Sequence, residues 1–343
     1  MHALTLADFG RMTVTEVLLP AAGSKLVLLA IVATDIHGSD LDGYTGDNGR
    51  SDPGQKMGHE SVGRVASIGD GVDIADFRVG AAAAFNSVLL TDDEIVPYLG
   101  REQHQQGKRV IGVALDDIVY FTHLIAAPAG NAAVLPVEMS IANGAIVEPL
   151  AVKFLTERWS GGRPCTELLI IGCVPFGQSA VLAAISEGMT EFVSREVDAG
   201  CSAVGVLLGA ATIDPITSPV AEQLVASWDI PVDVCIDAVG VTRTLGDPMS
   251  AINPGGTACL VGMGSPRVDI NAYRICTGEQ NLVGIFTYSA WDFRDAAAWM
   301  VTPPNQAASV FAHEVDFADE SCAFAELATG SSMPSKVLVY FDR

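Results

Sequence analysis

The sequence predicts a two-domain α/β protein, with a β-rich domain followed by a doubly wound domain on a parallel sheet. Three observations carry this reading. The chain has 343 residues, beyond the roughly 250 to 300 at which a single core stops growing. From residue 26 to 150, short β-branched runs alternate with Gly and Asp turns, which favours an antiparallel, barrel-like sheet. From residue 166 onward, apolar strands are separated by segments long enough for helical crossovers, the pattern of a parallel sheet covered on both faces.

The elements follow in order. The runs KLVLLAIVA, SVGRVASIGDGVD, RVIGVAL and IVYFTHLIAAP are the strand candidates of the first domain. TELLIIGCVPFGQSAVLAAISEG then reads as a buried strand, a glycine turn and a helix, and EFVSREV, VDVCIDAVG and GTACLVGMG supply further buried strands. TPPNQ, at 302 to 306, is expected to be a loop where the chain leaves the second domain. No internal repeat or low-complexity tract interrupts this order.

Composition narrows the function. There are 41 acidic against 19 basic residues, a formal charge of -22, which repels phosphate backbones and anionic lipid surfaces and makes nucleic acid a poor partner. No stretch reaches the roughly 18 uninterrupted apolar residues of a membrane span. The opening MHALTLADFGRM lacks a basic region followed by an apolar block, so no cleaved export signal is expected and the reading is a soluble cytoplasmic protein. Cys165, Cys173, Cys201, Cys235, Cys259, Cys276 and Cys322 form no close CxxC pair and read as buried thiols in a reducing compartment. Besides His2 near the start, His37, His59, His104 and His123 lie in the cysteine-free part, five of the six histidines. Any metal chemistry belongs there.

In LLIIGCVPFGQSA, Gly172 and Gly177 occupy the first and third positions of GxGxxG, after a strand and at the start of a helix. A helix N-terminus offers amide donors and a favourable dipole to a pyrophosphate. Val174 replaces the middle glycine, and its branched Cβ fills space through which the pyrophosphate approaches the backbone. Glu196, nineteen residues after Gly177, is placed to accept from the adenosine-ribose hydroxyls, which favours NAD. Arg195 beside it would meet a 2'-phosphate, so NADP is the alternative.

The stretch DIHGSD poses a question of its own, because a lone histidine is more often a surface or satisfied core residue than a ligand. GHESVGRVASIGDGV, at 58 to 72, resembles the zinc-site signature of the medium-chain, zinc-containing alcohol and polyol dehydrogenases: Gly-His-Glu, then Gly63, Gly69 and Val72 at the family's spacings. The resemblance continues through GSDLDGYTGDNGR, GREQHQQGKRVIGV, AVLPVEMS, IVEPLAV and SKVLVYF, in the family's order.

The resemblance implies a GroES-like catalytic domain at 1–150 and 291–343 with a Rossmann nucleotide-binding domain at 151–290 inserted in it. It implies a catalytic zinc held by His59, by Glu148 of the Glu-Pro-Leu segment, and by His37 where the family has cysteine. Glu60 is the second carboxylate or an exchanging ligand, and Asp40 with Lys336 is the supporting charged pair. Two histidines, a carboxylate and an open water position form a known catalytic zinc arrangement. Loss of the soft thiolate widens tolerance for cobalt, manganese or iron. The family's structural-zinc cysteines align with Thr91, Glu94, Pro97 and Gln105, so no structural zinc is expected, and Asp92, Asp93 and Glu94 read as a solvated acidic turn. Ser39 matches the relay hydroxyl, and Asp42 stands where the relay histidine is usual.

The implied activity is reversible hydride transfer between a secondary alcohol, polyol or sugar-like substrate and a nicotinamide cofactor. Bound metal would act as Lewis acid. The alternatives are a metal-free reductase of the same superfamily and a non-catalytic nucleotide-binding homologue. The family commonly associates through the last strands of the nucleotide domain, here NLVGIFTY, which implies a homodimer or homotetramer.

Overall fold

The computed structural model describes residues 1–47, 49, 51–73, 77–112, 121–161, 166–216, 220, 222–224, 232–300, 311–329 and 336–341. TPPNQ and Cys165 lie outside them, as do the last three residues of the RVIGVAL run and the start of IVYFTHLIAAP. The chain divides into two compact units, one holding Met1–Ala151, Thr287–Pro303 and Phe311–Arg343, the other Val152–Phe286.

The first unit opens with a hairpin, β1 (His2–Asp8) and β2 (Arg11–Glu16). Its main sheet is built on β3 (Leu26–Asp35) and β4 (Ser61–Ile68), separated by helix α1 (Gly38–Thr45). β5 (Ala82–Phe85), the short pair β6 (Val88–Leu89) and β7 (Arg109–Val110), β8 (Leu124–Pro128) and β9 (Ala132–Val134) follow, with α2 (Asp92–Tyr98) between β6 and β7. In β3, alternate residues are buried and half-exposed, as expected where one sheet face covers the core.

α3 (Val147–Ser160) leads into the second unit. There β10 (Leu168–Ile171), β11 (Phe192–Arg195), β12 (Ala211–Ile213), β13 (Val232–Asp237), β14 (Ile252–Leu260) and β15 (Asn281–Gly284) make an all-parallel sheet in the order β12-β11-β10-β13-β14-β15. That order reverses between β10 and β13, the switch point beside which open α/β sheets bind ligands at the strands' carboxyl ends. Helices α4 (Pro175–Ser186), α5 (Ala199–Leu207), α6 (Thr242–Ala251) and α7 (Ala272–Gly278) belong to this unit. Every residue of β10 is buried, as in a strand covered on both faces.

The chain returns to the first unit with α8 (Ala290–Trp299), β16 (Phe311–Asp316), α9 (Glu320–Ala328) and β17 (Lys336–Tyr340). β17 pairs antiparallel with β3 and parallel with β16, so the sheet is mixed where the sequence pattern suggests antiparallel pairing throughout. The core of this unit includes Leu29, Phe85, Phe121, Ile125, Phe324 and Val337. A fully buried side chain of this kind contributes about 1.5 to 3 kcal/mol.

Two expectations change. Asp92, Asp93 and Glu94 form the first turn of α2 rather than a bare acidic turn, a position where carboxylates favour the helix dipole. Of the described cysteines, Cys276 and Cys322 are exposed, while Cys173, Cys201, Cys235 and Cys259 are buried thiols in no disulfide. Burial pushes the Cys173 thiol up to about 11 and the Cys201 thiol up to about 12, so both stay protonated and weakly reactive.

Glu320, the first residue of α9, is fully buried beside the Phe324 core, and neither carboxyl oxygen has a hydrogen-bond partner. Burial raises its pKa to about 9. Because the folded value lies above the unfolded one, this group's stabilising contribution is complete below about pH 4.5 and is lost as pH rises towards about 9. Glu320→Gln is therefore expected to flatten stability against pH over that window and to raise it at pH 8 by on the order of 1–3 kcal/mol. Urea unfolding at pH 5 and pH 8 measures the difference, and an unchanged slope counts against the assignment.

Candidate active site

DIHGSD is a helix start. His37 caps α1 with its ring: Nδ1 accepts from the Ser39 amide at 3.2 Å and lies 2.8 Å from Ser39 Oγ. The Asp40 carboxylate accepts from the His37 amide at 3.1 Å, closing a reciprocal capping box. Helix formation itself thereby fixes the ring's direction. His59 lies on the extended segment before β4, its ring centroid 4.9 Å from that of His37 at an interplanar angle of 81°. Asp40 Oδ1 accepts from the Gly58 amide at 3.2 Å and stands 3.8 Å from His59 Nδ1. One carboxylate thus holds the His37 backbone and faces the His59 ring.

The ligand-capable atoms of His37, His59 and Glu60 all lie within 4.8 Å of one another. Two ligands of one tetrahedral zinc stand roughly 3.4 Å apart, so side-chain adjustment alone closes the set. Glu148, near the start of α3, is buried and interacts with Glu60 and the Tyr288 hydroxyl. Ser39 is within the cap, whereas Asp42 is exposed further along α1.

Asp35, Asp40, Glu60 and Glu148 are all buried here, together with Lys336. Lys336 Nζ donates to Asp35 and Glu60. This corrects the Asp40–Lys336 pairing implied by the family resemblance: Asp40 serves the cap and His59 instead. Burial opposes ionisation of Glu60, but Lys336, Asp35 and both imidazoles outweigh it and hold the carboxyl well below its usual range. Burial and then the Glu60 charge push Glu148 well above its usual range. Burial likewise raises Asp35, against the pull of Lys336.

This set fits a divalent cation. Glu60 Oε1, Asp35 Oδ1 and His59 Nδ1 are buried without a hydrogen-bond partner, and the carboxylates outnumber the ammonium. Orphaned acceptors and uncompensated negative charge are costly in an interior, and a cation relieves both. The positions aligned with a structural zinc do not fit one. Glu94 instead accepts from the Thr91 amide at 2.9 Å and from the Gln105 side-chain amide, and Thr91, Pro97 and Gln105 supply no anionic ligand.

In the second unit, β10 runs into a turn whose two glycines are sterically required. A Cβ on Gly177 would lie 1.8 Å from the Gly172 carbonyl oxygen, and Gly172 has φ +82°. Val174 differs: it caps α4 with φ -60° and ψ 168° and is 39% exposed, so its backbone tolerates a side chain that stands at the mouth of the turn. Glu196 accepts from the amides of Cys173 at 2.6 Å, Val197 at 2.7 Å and Asp198 at 2.9 Å. Arg195 does not stand beside it at the strand tip. It is buried, and its charge acts on Asp237 and Cys235, because adjacent strand residues face opposite sides of a sheet.

Two family descriptions match the chain: "Alcohol dehydrogenase GroES-like domain" over residues 23–137 and "Zinc-binding dehydrogenase" over 175–302. L-threonine 3-dehydrogenase of Thermococcus kodakarensis is 29% identical over 266 residues, 75% of this chain and 73% of that protein. Sorbitol dehydrogenase of Arabidopsis thaliana is 26% identical over 302 residues, 83% of this chain and 80% of its own length. The crystal structure of 2R,3R-butanediol dehydrogenase from Bacillus subtilis superposes with a TM-score of 0.88 at 22% identity, covering 99% of both chains. The fold is thus a GroES-like domain joined to a Rossmann domain. The chain belongs to the zinc-type medium-chain alcohol and polyol dehydrogenases, oxidoreductases that act by hydride transfer.

Sequence reasoning missed Asp35, Tyr288 and the true partners of Lys336. The one local signal was an acid at the end of the β3 run, which reads equally as a solvated strand end. Lys336→Met is expected to leave Asp35 and Glu60 uncompensated and to cost about 3–5 kcal/mol, the usual penalty for removing one partner of a buried pair. Urea unfolding of the metal-free protein tests this, and a loss below about 1 kcal/mol would place the pair among weak surface contacts.

Proposed function

We propose that the protein oxidises a secondary alcohol of polyol or sugar-like character, reversibly, with a divalent metal at His37, His59 and a carboxylate, and NAD as hydride acceptor. The convergence of two imidazoles and Glu60 within 4.8 Å carries this reading. Bound zinc would supply Lewis acidity, lowering the alcohol's pKa, and the nicotinamide would supply the hydride acceptor. Glu148, next to Glu60, would be the further carboxylate ligand.

The chain's own residues handle the proton. For His37 to ligate through Nε2, its Nδ1 must carry the hydrogen; on ligation it would give up accepting from the Ser39 amide and donate instead to Ser39 Oγ across the 2.8 Å contact. This fixes the Ser39 hydroxyl as acceptor from the ring and as donor or acceptor towards the substrate hydroxyl. Asp42, exposed on α1, passes the proton to solvent. Asp40 holds the His37 and Gly58 backbone amides while this happens.

NAD is favoured over NADP for two reasons. Of about four acceptor sites on the Glu196 carboxylate, three are used by amides, leaving one for a ribose hydroxyl, while its charge repels a 2'-phosphate. Arg195 is engaged towards Asp237. The protonated, largely buried thiols suit a reducing, cytoplasmic setting. No helix of the described residues is long and apolar enough to cross a membrane. β15, an edge of the parallel sheet, exposes Leu282, and Phe286 two residues beyond it is exposed as well; we assign a homodimer or homotetramer contact to this edge, where a second copy would continue the hydrogen-bond ladder.

His59→Ala is expected to abolish both metal retention and turnover, whereas His37→Cys keeps activity and sharpens zinc selectivity. Metal content after exhaustive dialysis is the readout, and a wild type that keeps less than about half an equivalent would count against the metal reading. Val174→Gly is expected to tighten NADH binding by opening the approach to the turn. Fluorescence titration measures it, and an unchanged affinity would show that the side chain does not obstruct the cofactor.

A further inference from the structure

Lys153 of α3 is among the largest fully buried side chains, and its Nζ lies 3.3 Å from the centroid of the Phe176 ring. Phe176 is the second residue of α4, between Pro175 and Gly177, within the glycine turn itself. Both residues belong to the second unit. Burying an ammonium is costly, and an apolar side chain over an aromatic ring would pack as well. In a chain with only 19 basic residues against 41 acidic, the placement of one of them under this turn calls for an electrostatic role.

The turn needs positive charge. The Val174 side chain makes no cap hydrogen bond, and Pro175 at the helix start has no N–H, so the helix N-terminus offers fewer donors than usual. Glu196 adds a carboxylate against the Cys173 amide, on the same turn. The overall charge of -22 further opposes an anionic dinucleotide. A cation held over the Phe176 ring acts across an interior of low effective dielectric, where its field is weakly screened.

We propose that Lys153 is a positioning residue for the dinucleotide pyrophosphate, fixing Phe176 through the cation–π contact and supplying the positive field that the turn lacks. The inference rests on the dinucleotide reading given above. Its test separates pyrophosphate from adenosine. Calorimetric titration of the full chain with ADP-ribose and with adenosine, at low and high salt, is compared among wild type, Lys153→Met and Lys153→Arg.

The expected result for Lys153→Met is a loss of roughly tenfold or more for ADP-ribose, adenosine affinity unchanged, and a shallower salt dependence. Lys153→Arg restores most of the loss. Equal weakening of both ligands would show a merely structural role, and an unaltered ADP-ribose affinity would equally overturn the proposal. Should the methionine variant fail to fold, Lys153→Gln, polar but uncharged, is read by the same criteria. A wild type that binds no ADP-ribose at all would instead sink the dinucleotide reading, and this inference with it.

Discussion

The buried contact of Lys336 with Asp35 and Glu60 is the constraint on which the candidate active site depends. It joins the start of β17 to the end of β3 and to the segment before β4. These segments deliver His37, His59 and Glu60 to one place. Without a buried cation there, two adjacent carboxyls could not both approach the ionised state in a low-dielectric interior, and Glu60 would lose the charge that its proposed ligand role needs. The pairing of β17 with β3, Leu338 opposite Asp35, keeps the lysine at the right depth. Strand register is therefore part of the chemistry, since a one-residue slip would turn Lys336 to the other face.

That contact does not complete the charge balance. Asp40 and Glu148 add buried carboxyls to those of Asp35 and Glu60, and burial first, then the Glu60 charge, raises the pKa of both, leaving positive charge in short supply. Protonation is one way to resolve the shortage, and a divalent cation is the other. The contacts of His37 with Ser39 and Asp40 suit the second, because they set the ring's direction before any ligand arrives. Preorganisation of this kind lowers the entropy that binding must overcome.

Much of this was legible in the sequence, and the limits are physical. β3, β4 and the β10–turn–α4 unit announce themselves by local period and by glycines whose role is local. The Gly-His-Glu segment and the Glu-Pro-Leu segment identify the family, because metal ligands constrain residue type tightly. Lys336 stands 301 residues from Asp35 and 276 from Glu60, and no local pattern encodes such a pairing. The orientation of Arg195 escaped for a different reason: the strand's alternation assigns it and Glu196 to opposite faces, but their adjacency in sequence suggested a shared tip. The helix at DIHGSD was hidden because histidine is an unusual N-cap, although the acid three residues on is the ordinary partner of a capping box.

Replacement of the family's cysteine by His37 follows from the same electrostatics. A thiolate ligand brings a negative charge with it, whereas a neutral imidazole brings none. In a site already crowded with buried carboxyls, the exchange removes one charge from the uncompensated total and leaves the cation's attraction to Glu60 and Glu148 undiminished. The cost is a harder ligand set with less discrimination for zinc. The gain is a ring whose second nitrogen meets Ser39, which a thiolate cannot offer. On the proposed reading, the substitution moves proton-handling capacity into the ligand itself, with the exposed Asp42 where the family resemblance implies a relay histidine. On that reading the departures at His37 and Asp42 form one coupled change in how a proton leaves the site.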